Sequence, residues 1–365
     1  MKLLNAISRL FGRGARVTTN QTTPLRPKRG VVNHVVIIDG SMSSLREGCE
    51  TNAGLLYKML RDTGTDRRIS LRYEAGIQWR NWSSFRDVLE GRGINRQIRR
   101  AYGFIASRYQ LGDRIFLFGF SRGAYAVRSL AGVLDRVGLL KAEHATVRNI
   151  RQAYRLYEAG GNNAATERFC EQFCVDQPEV EMLGVWDTVK ALGLRLPIIW
   201  RWTETKHRFH NHALGHHIAH AYHALARDET RSAFAPILWE DTQLYPGHVE
   251  QVWFRGVHGD VGGHLGGSDR ARPLSNIPLA WMLERAENCD LTLPSDWRDR
   301  LECDPNAPSI GNWRDWRWVF VTRRKRVIGR DPSEQVFEYL RQGEAFDEDD
   351  GADGAKIIQV VDPVA

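Results

Sequence analysis

The residues best suited to covalent chemistry surround Ser121, in the segment Gly119-Phe-Ser-Arg-Gly123. This segment matches the pattern G-x-S-x-G, in which a strand turns sharply into a helix and presents the serine hydroxyl at the turn. Gly119 and Gly123 are small enough to let the strand and the helix approach each other. The amide of Arg122 lies at the predicted helix start, where it can stabilise an oxyanion. The pattern predicts a nucleophilic Ser121; the alternative is an ordinary glycine-rich helix start.

A serine hydroxyl needs a base to remove its proton and an acid to orient that base. Asp187 follows a predicted strand at 180–186, and His258 follows a predicted strand at 251–255. The order Ser, Asp, His along the chain is typical of hydrolases that carry the serine on a strand-to-helix turn. The predicted catalytic residues are therefore Ser121, Asp187 and His258.

Three further candidates for the site are Asp260, the loop at Gly40 and Ser41, and His223. Asp260 is either the acid that orients the histidine or an anchor for a glycine-rich turn, and Asp187 is favoured as the acid. The loop at Gly40 and Ser41, which ends the first strand, either supplies a second oxyanion donor or is a plain turn. His223 is the histidine of the 207–223 segment that we expect to lie nearest the active site.

Metal binding by the histidines and cysteines is the other chemistry that these residue types allow. Seven of the 12 histidines lie between 207 and 223, and His216, His220 and His223 would share one face of a helix. Without a patterned carboxylate nearby, a polar helix surface is favoured over a metal site. The five cysteines are spread along the chain and indicate packing in a reduced compartment. No metal and no cofactor are expected.

Short apolar runs alternate with longer amphipathic stretches from residue 31 onward, which is typical of a mostly parallel sheet covered by helices. Strands are predicted at 34–38, 69–73, 114–118, 180–185 and 251–255. Helices are predicted at 94–105, 124–134, 145–158, 164–174 and 277–287. The apolar segment 196–202 is predicted as a loop or lid, and the Trp-rich segment 313–318 as late core or sheet edge.

The formal net charge of +7 belongs to one end of the chain. Seven of the 51 Lys and Arg residues lie in 1–30, so the rest of the chain has 44, equal to its 44 Asp and Glu. Residues 1–30 are predicted as a basic leader, either disordered or an amphipathic helix in peripheral contact with a membrane. Residues 31–340 are predicted as the catalytic domain and 341–365 as an acidic, solvated tail. Because the charges of the body balance, no nucleic-acid partner is expected.

The location of the protein is predicted from two further features of the sequence. No apolar stretch reaches the roughly 18 to 20 residues that a membrane span needs. The apolar residues near the amino terminus are interrupted by charges, so no secretory signal is expected. The chain is therefore predicted to be cytoplasmic in the cell that produces it.

Five ordered motifs resemble those of the type VI secretion phospholipase effectors and of the broader α/β-hydrolase domain family that contains them. They are Asp39-Gly-Ser41, Gly112-Asp113 with Gly119-Phe-Ser-Arg-Gly-Ala-Tyr125, Gly184-Val-Trp-Asp-Thr-Val189, His223-Ala-Leu-Ala-Arg-Asp-Glu229 with Arg231 and Phe234, and Trp253-Phe-Arg-Gly-Val-His258 with Asp260-Val-Gly-Gly263. The resemblance runs from about 34 to 288. Two positions depart from the family pattern: Ser41 stands where Thr is usual, and His264 where a third Gly is usual.

The resemblance implies an α/β-hydrolase fold with a lid-like insertion and a catalytic triad of Ser121, Asp187 and His258. It also implies a secretion-system or immunity partner and export by a type VI system. The leading hypothesis is a cofactor-independent serine esterase or lipase, with phospholipid acyl esters as the favoured substrate. A soluble esterase or amidase for small substrates is the alternative within the same fold. A non-catalytic binding module that docks through its basic leader is the alternative from another class.

Overall fold

A parallel sheet of eight strands forms the centre of the protein. The structure is a computed structural model, and it describes residues 29–63, 68–76, 92–161, 163–175, 178–189, 214–311, 322–340 and 356–361. The strands are β1 (Asn33–Ile38), β2 (Ile69–Glu74), β3 (Arg114–Phe120), β4 (Leu139–Leu140), β5 (Cys174–Val175), β6 (Val180–Trp186), β7 (Ile218–Ala226), β8 (His248–Phe254), β9 (Glu334–Leu340) and β10 (Lys356–Val361). The order across the sheet is β10-β9-β8-β7-β6-β3-β1-β2, while β4 and β5 form a separate antiparallel pair. Because the eight strands of the main sheet are parallel, their carboxyl ends all lie at the same edge of the sheet.

Seven α-helices are found in the described part of the chain. They are α1 (Asn52–Asp62), α2 (Arg92–Ala106), α3 (Arg122–Val137), α4 (Val147–Glu158), α5 (Ala164–Phe173), α6 (His258–Gly262) and α7 (Arg272–Asn288). Short 3₁₀ helices span Ala142–His144, Ser232–Phe234, Thr242–Leu244 and Asp269–Ala271. None of the described helices is both long and apolar enough to cross a membrane.

The two faces of the sheet bury separate apolar cores, because successive strand residues point to opposite faces. Val36 and Ile38 of β1 pack into the core that includes residues of α2, α3 and α4. Val35 and Ile37 pack into the other core, together with residues of α1 and α7. A strand covered on both faces has no polar side to alternate with, which explains the continuous apolar run of β1. The predicted parallel sheet with covering helices is confirmed.

The predicted strands and helices are present with shifted ends, but one histidine segment was assigned to the wrong kind of element. His220 and His223 belong to strand β7, so the helix face proposed from their spacing is wrong. β7 lies between β6 and β8, and its small and polar residues show no alternation that would distinguish a buried strand from a helix. Helices α1 and α6 and strands β4, β5, β9 and β10 were not predicted.

The carboxyl-terminal segment also differs from the expectation. Residues 356–361 fall within 341–365, which the acidic block indicated as a solvated tail, yet they form β10 and pair with β9. The tail prediction is therefore wrong for these six residues, because the apolar run after the acidic block supplies a strand. The predicted leader up to residue 28, the predicted lid 196–202 and the Trp-rich segment 313–318 lie outside the described residues.

Candidate active site

Ser121 occupies a strained turn between β3 and α3. Its backbone has φ 57° and ψ −118°, a positive φ that a residue with a side chain adopts only at a cost. A Cβ on Gly119 would lie 2.6 Å from the carbonyl oxygen of Gly123, and one on Gly123 would lie 2.0 Å from that of Ile38. Both positions therefore have to be glycine for the strand, the turn and the helix to fit together, as the sequence pattern predicts.

The structure brings Ser121, His258 and Asp187 into one chain of hydrogen bonds. His258 is the first residue of α6, shortly after β8, and its Nε2 lies 2.9 Å from the Ser121 Oγ. Its Nδ1 lies 2.6 Å from the Asp187 Oδ2. All three residues are buried. The carboxylate favours the tautomer with the proton on Nδ1, so that Nε2 is free to accept the serine proton.

Two aromatic rings flank the imidazole of His258, and a hydrogen bond holds its backbone. The rings of Phe120 and Phe234 lie 4.9 and 4.8 Å from it, measured between centroids. The backbone N–H of His258 donates to the Glu229 carboxylate at 3.2 Å. Glu229 is itself bound by Arg231, whose Nε and Nη2 donate to the two carboxylate oxygens at 2.8 and 2.6 Å. These contacts restrict the rotation of the ring and maintain its alignment with Ser121.

Asp187 follows β6 directly and is fully buried with a positive φ of 39°. Its N–H donates to the Ala224 carbonyl at 2.7 Å, and its Oδ1 accepts from the Ala226 N–H at 3.1 Å. Arg326 donates from Nη1 to Oδ1 at 2.6 Å and from Nη2 to Oδ2 at 2.9 Å. Burial by itself raises the pKa of Asp187, but the charge of Arg326 and the hydrogen bonds from His258 and Arg326 outweigh it and hold that pKa well below its usual range.

No sequence pattern predicts Arg326 as part of the site or gives a role to Glu229 and Arg231. The side chain of Arg326 is 4% exposed, and it also donates to the carbonyls of Ala226 and Phe234. The only sequence signal is a run of basic residues at 323–326, which usually indicates a solvated surface. No spacing rule links a residue of this run to a carboxylate 139 positions earlier in the chain.

The predicted oxyanion donors differ in availability. Arg122 is the first residue of α3, so its N–H has no acceptor one turn earlier in the helix. The Gly40 N–H donates to the Asp39 carboxylate at 2.6 Å and is therefore already paired in this structure. The Ser41 hydroxyl is buried and has no hydrogen-bond partner among the described residues. On this loop, Ser41 is therefore the better candidate.

The two secondary candidates do not contact the reacting groups. The Asp260 carboxylate accepts from the N–H groups of Val257 and Ile310, at 2.9 and 3.0 Å, and so anchors the turn. His223 Nε2 accepts from the N–H of Thr188 at 3.1 Å, one residue beyond Asp187. Burial lowers the pKa of His223 to about 3, so this imidazole is neutral. Both residues support the loops of the site rather than the transfer of a proton.

Among the described residues, one group of side chains lies close enough to hold a metal ion. Glu181, His220 and Cys289 each have a ligand atom within 4.8 Å of the others. Glu181 is the second residue of β6 and His220 the third of β7, so they lie toward the starts of strands whose ends carry the triad. His220 Nδ1 lies 3.1 Å from the Glu181 carbonyl oxygen. This group is separate from Ser121 and contributes nothing to its chemistry.

Comparison with known proteins gives matches that cover much of the sheet. The family model of the catalytic domain of Tle1-like phospholipase effectors of the type VI secretion system matches residues 33–285. The uncharacterized protein YEL023C of Saccharomyces cerevisiae is 24% identical over 237 residues, which are 59% of this chain and 33% of that protein. This chain thus matches about a third of the length of its curated relative.

Two solved structures are similar at low identity. The crystal structure of an uncharacterized protein from Pseudomonas aeruginosa is 16% identical with a TM-score of 0.42, covering 74% of this chain and 47% of that one. The Tle1 effector bound to the VgrG spike of the type VI secretion system is 19% identical with a TM-score of 0.38, covering 65% of this chain and 52% of that one.

The family match confirms the resemblance carried by the five motifs and, with the parallel sheet and its strand-to-helix turn at Ser121, the α/β-hydrolase fold. It includes β1 to β8 and α1 to α6 together with most of α7, and it stops before the segment that carries Arg326. Because the match covers more than half of the chain, the protein belongs to the Tle1-like phospholipase effector family of the type VI secretion system.

Proposed function

We propose that the protein is a serine hydrolase that cleaves the acyl esters of phospholipids, with Ser121, His258 and Asp187 as its catalytic residues. The observation that carries this proposal is the hydrogen-bonded chain from the Ser121 hydroxyl through His258 to Asp187, at a strained strand-to-helix turn. The family match supports the choice of phospholipid, since the model is that of a phospholipase effector domain.

In the proposed reaction, the Ser121 Oγ attacks the acyl carbonyl carbon while His258 Nε2 takes the hydroxyl proton. The negative charge that develops on the carbonyl oxygen is stabilised by the Arg122 N–H and by a donor from Ser41. His258 then gives its proton to the departing alcohol oxygen, which leaves an acyl ester on Ser121. Water attacks this ester with His258 again as the base, and the fatty acid is released as Ser121 regains its proton.

The charge state of Asp187 supports this sequence of proton transfers. Because its pKa is held well below the usual range, the carboxylate is ionised at every pH at which an imidazole base operates. An ionised carboxylate on Nδ1 keeps the ring in the required tautomer and stabilises the imidazolium formed during attack. Arg326 shares that carboxylate and fixes its orientation toward the ring.

Export and partners form a second part of the proposal. The Tle1 effector with a solved structure is bound to a VgrG spike. By analogy, we propose that this protein is carried by a type VI system through a spike component, and that its basic leader contributes to peripheral contact with membranes.

The test of the proposed function compares the wild type with Ser121→Ala. Release of fatty acid from phospholipid vesicles, hydrolysis of short-chain esters and labelling by a fluorophosphonate should all be lost in Ser121→Ala. The matched control is Ser129→Ala, on the helix that follows Ser121, where the hydroxyl donates to the Tyr125 carbonyl of the preceding turn and does not contact His258 or Asp187. Equal fatty-acid release by the wild type and Ser121→Ala would contradict the assignment, and hydrolysis restricted to short-chain esters would favour the soluble esterase.

A further inference from the structure

A cleft rich in cations lies beside the candidate triad. We call it the basic cleft; its cavity has a volume of about 210 Å³. The basic residues that line it are Arg231, Arg324, Lys325, Arg326 and Arg330. Two residues of its wall also hold the site: Arg326 binds Asp187, and Glu229 accepts from the backbone N–H of His258. A ligand in the basic cleft would therefore lie against the residues that support the triad.

The charges in the basic cleft do not cancel. Glu229 is the only carboxylate of the lining, and both of its oxygens are bound by Arg231. Arg326 is matched by Asp187. The remaining cations are Arg324, Lys325 and Arg330, which are exposed, and no described carboxylate pairs with their side chains. Within the described part of the chain, three positive charges of the cleft are therefore left without a carboxylate partner.

The backbone that carries these cations is anchored. The Arg324 N–H donates to the Thr230 carbonyl at 2.8 Å, and Arg323 forms an antiparallel bridge with Arg231. At the other end, the Arg330 N–H donates to the Glu334 carboxylate at 2.6 Å. The three side chains therefore project from a fixed segment, which reduces the entropy lost when they bind a common ligand.

We propose that the basic cleft binds the phosphodiester of a phospholipid head group while an acyl ester of the same molecule lies at Ser121. This inference rests on the proposed function and names the part of the substrate that the cations recognise. An acyl ester carries no charge and gives no reason for three cations beside the site that have no carboxylate partner among the described residues. A phosphodiester carries a full negative charge and accepts hydrogen bonds from Arg and Lys, which makes it the natural complement of the cleft.

The experiment uses the full chain with Arg324, Lys325 and Arg330 replaced together by Ala. The control replaces three exposed arginines of α4, Arg148, Arg151 and Arg155, and removes the same charge. The measurement is the ratio of kcat/KM for monomeric dihexanoylphosphatidylglycerol to that for dihexanoylglycerol, which lacks the phosphate. We expect the cleft variant to lower this ratio at least about tenfold and the control to leave it unchanged.

Binding is measured as well, so that the result does not depend on turnover. In the Ser121→Ala background, calorimetric titration with dihexanoylphosphatidylglycerol should show affinity that the cleft substitutions reduce and the α4 substitutions do not. If the triple variant does not fold, Lys325→Ala with Arg151→Ala as its control gives the same comparison. If the wild type hydrolyses no ester, the proposed function is contradicted. The calorimetric titration would still show whether the basic cleft binds the phosphodiester.

Three outcomes would overturn the inference. An unchanged kcat/KM ratio together with unchanged binding would show that the cations do not recognise the phosphodiester. Competition by inorganic phosphate without any change in lipid selectivity would assign the cleft to a free anion. A loss of binding to anionic vesicles alone, with monomer selectivity retained, would assign it to the charge of a bilayer surface.

Discussion

Arg326 binds both carboxylate oxygens of Asp187, at 2.6 and 2.9 Å, in a site where neither side chain is exposed by more than 4%. The pair joins the segment after residue 322 to the end of β6. Buried ion pairs of this kind contribute little when complete, but removing one partner leaves an uncompensated charge in a medium of low polarity. Arg326 is therefore a positioning residue for the proposed catalytic acid.

The first prediction concerns Arg326→Ala. It should lower the free energy of unfolding by about 3–5 kcal/mol, because Asp187 is left buried without its partner. It should also slow fluorophosphonate labelling of Ser121, since the carboxylate is no longer oriented toward His258. Arg326→Lys should recover part of both properties, because the charge is retained while the two parallel hydrogen bonds are not. Denaturant unfolding and labelling rates provide the measurements.

The control for this prediction is Arg285→Ala, which removes an ion pair with Glu250 at 3.2 Å between α7 and β8. It should alter stability modestly and leave the rate of Ser121 labelling unchanged. If Arg326→Ala labels at the wild-type rate under conditions in which it is folded, Arg326 has no positioning role.

The second prediction concerns His223 and the dependence of stability on pH. Burial, with the nearby charge of Arg128, lowers the pKa of His223 from 6.5 to about 3 in the folded protein. Between these values the unfolded chain binds a proton that the folded protein does not, so stability rises with pH. The contribution of neutral His223 to the free energy of unfolding is fully present above about pH 6.5. Below that pH it decreases by about 1.4 kcal/mol for each pH unit.

His223→Gln should remove this part of the pH dependence, although it lowers stability at neutral pH by disturbing the bond to the Thr188 N–H. The measurement is the free energy of unfolding at several pH values between 7 and 4. His216→Gln, at an exposed position before β7, serves as the control and should retain the wild-type slope. Parallel curves for His223→Gln and the wild type would contradict a neutral, buried His223.

The third prediction concerns the turn at Ser121. In Gly123→Ala the new Cβ would lie 2.0 Å from the Ile38 carbonyl oxygen, and neither backbone can yield without moving β1 or α3. We expect a loss of at least about 3 kcal/mol, the upper end of what overpacking a core costs, and loss of Ser121 labelling. Gly30→Ala meets no atom within 4 Å and should leave the melting temperature unchanged. A stable, labelled Gly123→Ala protein would contradict the need for glycine at this position.

Local sequence patterns were sufficient to predict the central part of the architecture. The apolar run before Ser121, the glycines around it and the periodic helix after it belong to one continuous segment, so their geometry follows from short-range sterics. Asp187 and His258 were predicted as catalytic residues in the same way, because each follows an apolar strand and the carboxyl ends of parallel strands meet at one edge of the sheet. These inferences need only the periods of strands and helices.

The positions that sequence analysis missed depend on contacts between distant segments. Strand β7 contains small and histidine residues whose pattern permits a helix, and its pairing with β6 and β8 determines that it is a strand. The apolar residues 356–361 follow an acidic block, and only pairing with β9 makes them part of the sheet. In both segments the local sequence does not specify a strand. Pairing with a neighbouring strand and burial in the sheet determine the conformation that forms.

The amino-acid sequence by itself predicted the kind of chemistry, from a serine at a strand-to-helix turn that is followed in order by an acid and a histidine. Tertiary structure decided which groups meet. It brought Asp187 rather than Asp260 to the imidazole, paired the Gly40 amide with Asp39, and placed Arg326 on a carboxylate 139 residues away. The physical reason is that hydrogen bonds and ion pairs between distant segments depend on distance in space, which no spacing along the chain specifies.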